Sequence, residues 1–213
     1  MDVYTTEEQQ VEAIKKWWRE NRWSLIGGVA IGVAMLIGGR AWLDNKHAYT
    51  EAASVVYQMM IQELSQAQLD EAEEHGKKLL GEFSDTPYAA LAAFAMAKIK
   101  TEAGDLSAAT PHLRWVVNNA AEKEVKHEAI LRLARLLLAQ NNLQEAKDIL
   151  DGVDLGSYTS SSEILLGDIH LAAGRIDEAR QTYVNALAVI APGMPGRELL
   201  RMKLDNIASG NGN

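Results

Sequence analysis

After a polar start, the chain enters one uncharged run, Trp23 to Gly39, reading WSLIGGVAIGVAMLIGG. Ala41, Trp42 and Leu43 extend it past a single charge, Arg40. At about 1.5 Å per residue, residues 23–43 are long enough to cross a hydrocarbon core as one helix. Before the run, Thr6, Glu7 and Glu8 lead into VEAIKKWW, the pattern of a capped amphipathic helix. After it there is no second apolar run. From residue 44 onward helix formers dominate, and no stretch alternates β-branched and polar residues as a strand would.

The helical part repeats. Leu69-Asp-Glu-Ala72, Leu106-Ser-Ala-Ala109, Leu143-Gln-Glu-Ala146 and Ile176-Asp-Glu-Ala179 follow one another at steps of 37, 37 and 33 residues. Gly104, Asn141 and Gly174 stand two places before the apolar residue in three of them. Twelve residues upstream of each later alanine lies a small residue, Ala97, Ala134 or Gly167, each preceded by a large one, Met96, Leu133 or Leu166. Downstream come Leu113 and Val116, Leu150 and Val153, Tyr183 and Ala186. Two helices of a hairpin approach closely only where small residues meet, and the turn needs a residue that tolerates positive φ. This is the tetratricopeptide pattern. The expected fold class is all-α, a single N-terminal transmembrane helix followed by a tetratricopeptide-like α-solenoid.

The pattern predicts hairpins over 46–82, 87–120, 124–153 and 160–190. Asp85-Thr86-Pro87 reads as a cap with proline at the first helical position, and Ser160 to Ser162 with Glu163 as a second cap. Pro192 to Gly196 ends the fourth hairpin, and residues 196–209 form a last helix over the end of the stack. The expected divisions are 1–22 as the segment before the span, 23–43 as the span, 44–209 as the repeat domain with its closing helix, and 210–213 as a disordered tail.

Charge orients the span. Lys15, Lys16, Arg19 and Arg22 precede it, while only Arg40 and Lys46 follow, so the N-terminus is expected inside. Trp17, Trp18 and Trp23 mark one interface and Trp42 the other. A cleaved signal peptide would need a small-residue cut site, and Gly38-Gly-Arg-Ala-Trp-Leu-Asp44 is a poor one. Gly28, Gly32, Met35 and Gly39 fall on one helix face, where small residues would let another helix dock.

All of the net charge of −8 lies beyond the span. Residues 1–43 carry five basic and five acidic residues, and residues 44–213 carry 16 and 24. An acidic module argues against nucleic-acid binding, which needs phosphate-neutralising cations. The chain has no cysteine, which excludes disulfides, thiolate metal sites and cysteine nucleophiles. The histidines are scattered: Leu131 stands where a zinc-protease spacing from His127 would need a second one. No catalytic constellation, metal or cofactor is expected. What remains is the concave face of the first helices, with outward candidates Tyr57, Gln58, Gln62, Lys98, Lys100, Arg132, Arg135, Asp168 and His170.

Residues 10–42, QVEAIKKWWRENRWSLIGGVAIGVAMLIGGRAW, resemble the N-terminus of the YfgM-like family of ancillary SecYEG translocon subunits. The likeness continues through Pro87-Tyr-Ala-Ala-Leu91, Leu131-Arg-Leu-Ala-Arg135, Gly167-Asp168 and Met202-Lys-Leu-Asp-Asn206. Ala89 to Ala97 is richer in alanine and methionine than the resemblance leads one to expect. The resemblance implies a single-pass bacterial inner-membrane protein with its repeats in the periplasm. It implies partners too: SecYEG, a membrane-anchored periplasmic chaperone of the PpiD type, and secretory chains emerging from the channel. It also implies a role toward an envelope stress response and no enzymatic residues. The alternative is a general tetratricopeptide scaffold for another envelope complex.

Overall fold

The computed structural model describes residues 7–191, 193 and 195–210. The expected Thr6 cap, Pro192, Met194 and tail residues 211–213 lie outside the described residues. The elements are α1 (Glu7–Ser65), α2 (Leu69–Glu82), α3 (Pro87–Glu102), α4 (Leu106–Asn119), α5 (Lys123–Ala139), α6 (Leu143–Asp148), a 3-10 turn at Gly156–Tyr158, α7 (Thr159–Ala172), α8 (Ile176–Val189) and α9 (Pro195–Gly210). No strand occurs among the described residues. The chain divides into two compact units, 1–51 and 52–213. Helical structure in α1 runs without a break across the expected divisions at 22/23 and 43/44.

Within 52–213 each helix packs on its neighbour in sequence, from α2 on α3 through to α8 on α9. The four hairpin turns share one construction. Asp105 N–H donates to Lys100 O (2.9 Å) and Gly104 N–H to Thr101 O (3.0 Å), the paired bonds that close a helix through a left-handed residue. The same pair recurs at Asn141-Asn142, Gly174-Arg175 and Ala67-Gln68. The left-handed residues are Gly104 (φ 79°), Asn141 (φ 60°), Gly174 (φ 74°) and Ala67 (φ 59°). Each second helix then starts two residues after the left-handed one, which is why the Leu-x-x-Ala quartet follows the turn at a constant distance.

The small residues of the repeat lie at the helix crossings. Ala72, Ala109, Ala146 and Ala179 are all fully buried, as is Ala134, and Ala97 nearly so. Around them Leu131, Leu133, Leu137, Leu155 and Ile169 fill the core between hairpins. Full burial of one such side chain contributes roughly 1.5–3 kcal/mol.

Two details depart from the expected boundaries. The second helix of hairpin three stops at Asp148, not near 153, because Gly152 takes φ 74° and turns the chain. Val153 is left 40% exposed, while Leu155 enters the core in its place. Ser160 to Ser162 do not cap α7 either. The helix begins at Thr159, whose hydroxyl donates to Gly156 O (2.7 Å), and Ser162 is buried inside it. Thr86 does stand at the N-cap with Pro87 first in α3, but its hydroxyl donates back to Phe83 O (2.7 Å).

Candidate interaction surfaces

In α1 the residues Gly28, Gly32, Met35 and Gly39 recur at steps of four, three and four, so they share one face. All four are exposed, Met35 to 72%. A Cβ built on any of the three glycines meets nothing within 4 Å. The face is therefore smooth and uncovered, as close approach of a second helix requires. The helix is long and apolar enough to cross a membrane, and none of its apolar window is buried. Trp17, Trp18, Trp23 and Trp42 are exposed as well. Arg22 lies over the Trp23 ring at 5.8 Å and Lys46 over Trp42 at 5.5 Å, so each flank pairs a cation with an aromatic. Such an anchor fits a membrane-bound protein.

In the repeats, α3, α4 and α5 enclose an open groove of about 390 Å³. Phe94, Ala97, Leu106, Leu113 and Leu136 form its floor. Lys98 and Glu102 stand on the α3 side, Arg132 and Arg135 on the α5 side. The helical spacing explains the grouping: Phe94, Lys98 and Glu102 are four apart on α3, and Arg132, Arg135 and Leu136 share one face of α5. The Arg132 guanidinium lies 4.8 Å from the Phe94 ring centroid while its Nε donates to Glu128 (2.7 Å). Lys98 Nζ is 3.7 Å from Glu102.

The structure thus brings Lys98, Arg132 and Arg135 together and places the other candidates elsewhere. Tyr57 packs on Tyr88 with ring centroids 5.7 Å apart, and burial pushes its hydroxyl pKa up. Gln58 reaches Ser54 on its own helix (3.5 Å). His170 Nδ1 lies 3.1 Å from Arg175 Nε and 3.0 Å from Glu178, both beyond the α7–α8 turn. Lys100 donates to Glu73 (2.7 Å). Asp168 accepts from Tyr183 (2.5 Å) and from Lys203 of α9 (2.6 Å). The repeat pattern marks Ala97, Leu106 and Leu113 as packing positions rather than as a groove floor, and it does not mark Phe94 or Leu136. Phe94 is one of only two phenylalanines and lies four residues before Lys98, and that spacing was the available signal.

A family model described as a tetratricopeptide repeat-like domain matches residues 15–209, taking in the apolar helix and all four hairpins. The chain belongs to this family. It is similar to the Escherichia coli (strain K12) protein named ancillary SecYEG translocon subunit, with 27% identity over 209 residues, 98% of this chain and 100% of that one. It is likewise similar to the Haemophilus influenzae protein of the same name, with 28% identity over 206 residues, covering 94% and 97%. The tetratricopeptide-like repeats of a Podosopora anserina kinesin light chain share the fold at a TM-score of 0.56. They are 19% identical, with 76% of this chain and 88% of that one covered.

Proposed function

We propose that this family member is a non-enzymatic, membrane-anchored binding protein of the SecYEG translocon. In this reading α1 docks beside the channel through Gly28, Gly32, Met35 and Gly39. Its N-terminus lies in the cytoplasm and its repeats in the periplasm of a bacterial inner membrane. There the repeats hold a PpiD-like anchored chaperone or a chain leaving the channel. The observation that carries the reading is the uncovered glycine face on the apolar helix α1, in a chain similar along nearly its full length to proteins named as translocon subunits. Anchoring raises the local concentration of the repeats at the channel exit, so that weak intrinsic binding is enough.

The test is a photo-crosslinking residue at Gly32 and another at Lys98, read in native membranes. Translocon subunits captured at Gly32, with a periplasmic chaperone or secretory chains at Lys98, are the expected result. Capture of other envelope proteins alone would favour a general scaffold. Exchanging residues 23–43 for an unrelated span would then leave function intact.

A further inference from the structure

The repeat domain is acidic, with 16 basic and 24 acidic residues over 44–213, yet the rim of its α3–α5 groove is not. Among its lining residues Lys98, Arg132 and Arg135 stand against one carboxylate, Glu102, with Glu128 just outside the lining paired to Arg132. Arg132 spends its Nε on Glu128 and its ring-like face on Phe94, so its terminal nitrogens remain to donate. Arg135 is exposed and makes no ion pair among the described residues. Below this rim the floor of Phe94, Ala97, Leu113 and Leu136 is apolar, and no side chain of the domain fills the space above it.

We propose that this groove takes an acidic amphipathic peptide segment. One large apolar side chain rests on Phe94, Leu113 and Leu136, and a neighbouring carboxylate meets Arg132 and Arg135. The inference rests on the binding-protein reading above and supplies the chemistry of what the repeats hold. The apolar floor gains by being removed from water. Arginine side chains three apart on one helix face can share a carboxylate through their forked donors. A basic segment would bring cations against three others. A purely acidic one would leave the floor wet.

The experiment uses the full chain in lipid nanodiscs and a short fluorescein-labelled helical peptide with Leu and Phe on one face and Glu beside them. A second peptide has Lys for each Glu, and a third has Ser for each Leu and Phe. The first is expected to bind at least about tenfold more tightly than either, with affinity falling as salt rises. The R132E/R135E variant should lose about tenfold for the Glu peptide and gain for the Lys peptide. Arg135→Glu alone, at an exposed and unpaired residue, should show the same trend if the double variant melts early. Equal binding of the Lys or Ser peptide, or no response to charge reversal, would overturn the proposal. The Gly32 crosslink is read on the same variants. If it is kept while groove binding is absent, only the groove inference fails. If groove binding is present without translocon capture at Gly32, only the translocon reading fails.

Discussion

Gly167 and Tyr183 fill one space between them. A Cβ on Gly167 would lie 2.9 Å from Tyr183 Cζ and closer still to Cδ1 and Cε1, and the tyrosine is fully buried. The same two hairpin positions, sixteen residues apart, hold Ala97 with Leu113, Ala134 with Leu150 and Met60 with Gly76. In the first hairpin the sizes are exchanged. Met60 is fully buried, and a Cβ on Gly76 would lie 3.4 Å from its Cε and closer to Met96 Sδ.

The two glycines are therefore expected to respond differently. Gly167→Ala pushes a rigid ring and should cost about 1–3 kcal/mol despite alanine's better helix propensity. Gly76→Ala meets the flexible side chains of two methionines, Met96 at Sδ and Cγ and Met60 at Cε, and should cost clearly less. Thermal melts of the full chain in detergent, followed by circular dichroism, compare them. Equal losses would show that ring rigidity is not what demands glycine at 167.

Asp168 joins the fourth hairpin to the closing helix. Asp168→Ala removes the acceptor of both the Tyr183 hydroxyl (2.5 Å) and Lys203 (2.6 Å). Burial, then the bond to Asp168, raises the tyrosine pKa, so the hydroxyl stays a donor at any ordinary pH. The expected loss is about 1–3 kcal/mol. Hydrogen exchange should show α9 opening earlier than in the parent, and unchanged α9 protection would count against the link.

Ala67 is the one turn residue of the four that bears a plain side chain at φ 59°. A left-handed L-residue costs roughly 1–2 kcal/mol, partly offset by the extra chain entropy that glycine loses on folding. Ala67→Gly should raise stability by about 0.5–1 kcal/mol, a gain of a few degrees in Tm. Asn141→Gly should change less, since asparagine tolerates this conformation. A lower Tm for Ala67→Gly would contradict the strain argument.

Acid should weaken the first two hairpins. His112 is half-buried, and that burial holds its pKa below 6.5, with Glu73 pulling the other way and Lys100 and Lys77 adding to the depression. The unfolded chain then binds the proton more readily, so stability falls as pH drops below 6.5 through the lower folded value. Glu73 is held below 4.5 by hydrogen bonds from Lys100 and Lys77, and its contribution disappears further down as it protonates. Urea midpoints between about pH 7 and pH 5 should decline less steeply for His112→Gln than for the parent. Parallel slopes would remove His112 from the explanation.

Gly32→Leu tests the span face. Because nothing lies within 4 Å of Gly32, the repeats should melt as before. A bulky side chain on a helix-docking face should nonetheless cut SecYEG co-purification in mild detergent several-fold. Undiminished co-purification would place the contact on another face.

The order of the helices and the turns at Gly104, Asn141 and Gly174 were legible because their causes are local. A left-handed Gly or Asn closes one helix, and the next starts at a fixed distance beyond it. The length and flanks of the run 23–43 marked the apolar segment in the same way. Ala67 escaped notice because alanine carries no turn signal, and Leu155 because it enters the core from a loop. Tertiary structure alone decided which outward residues meet. Lys98 of α3 and Arg132 and Arg135 of α5 lie some 34 to 37 residues apart in the chain and share a groove only through hairpin stacking. Tyr57 and His170 satisfied the same outward periodicity but found partners in Tyr88 and Glu178. Periodicity assigns a face to each helix. Which faces converge depends on how successive hairpins rotate, and the volumes exchanged at pairs such as Met60–Gly76 and Gly167–Tyr183 help to set that packing.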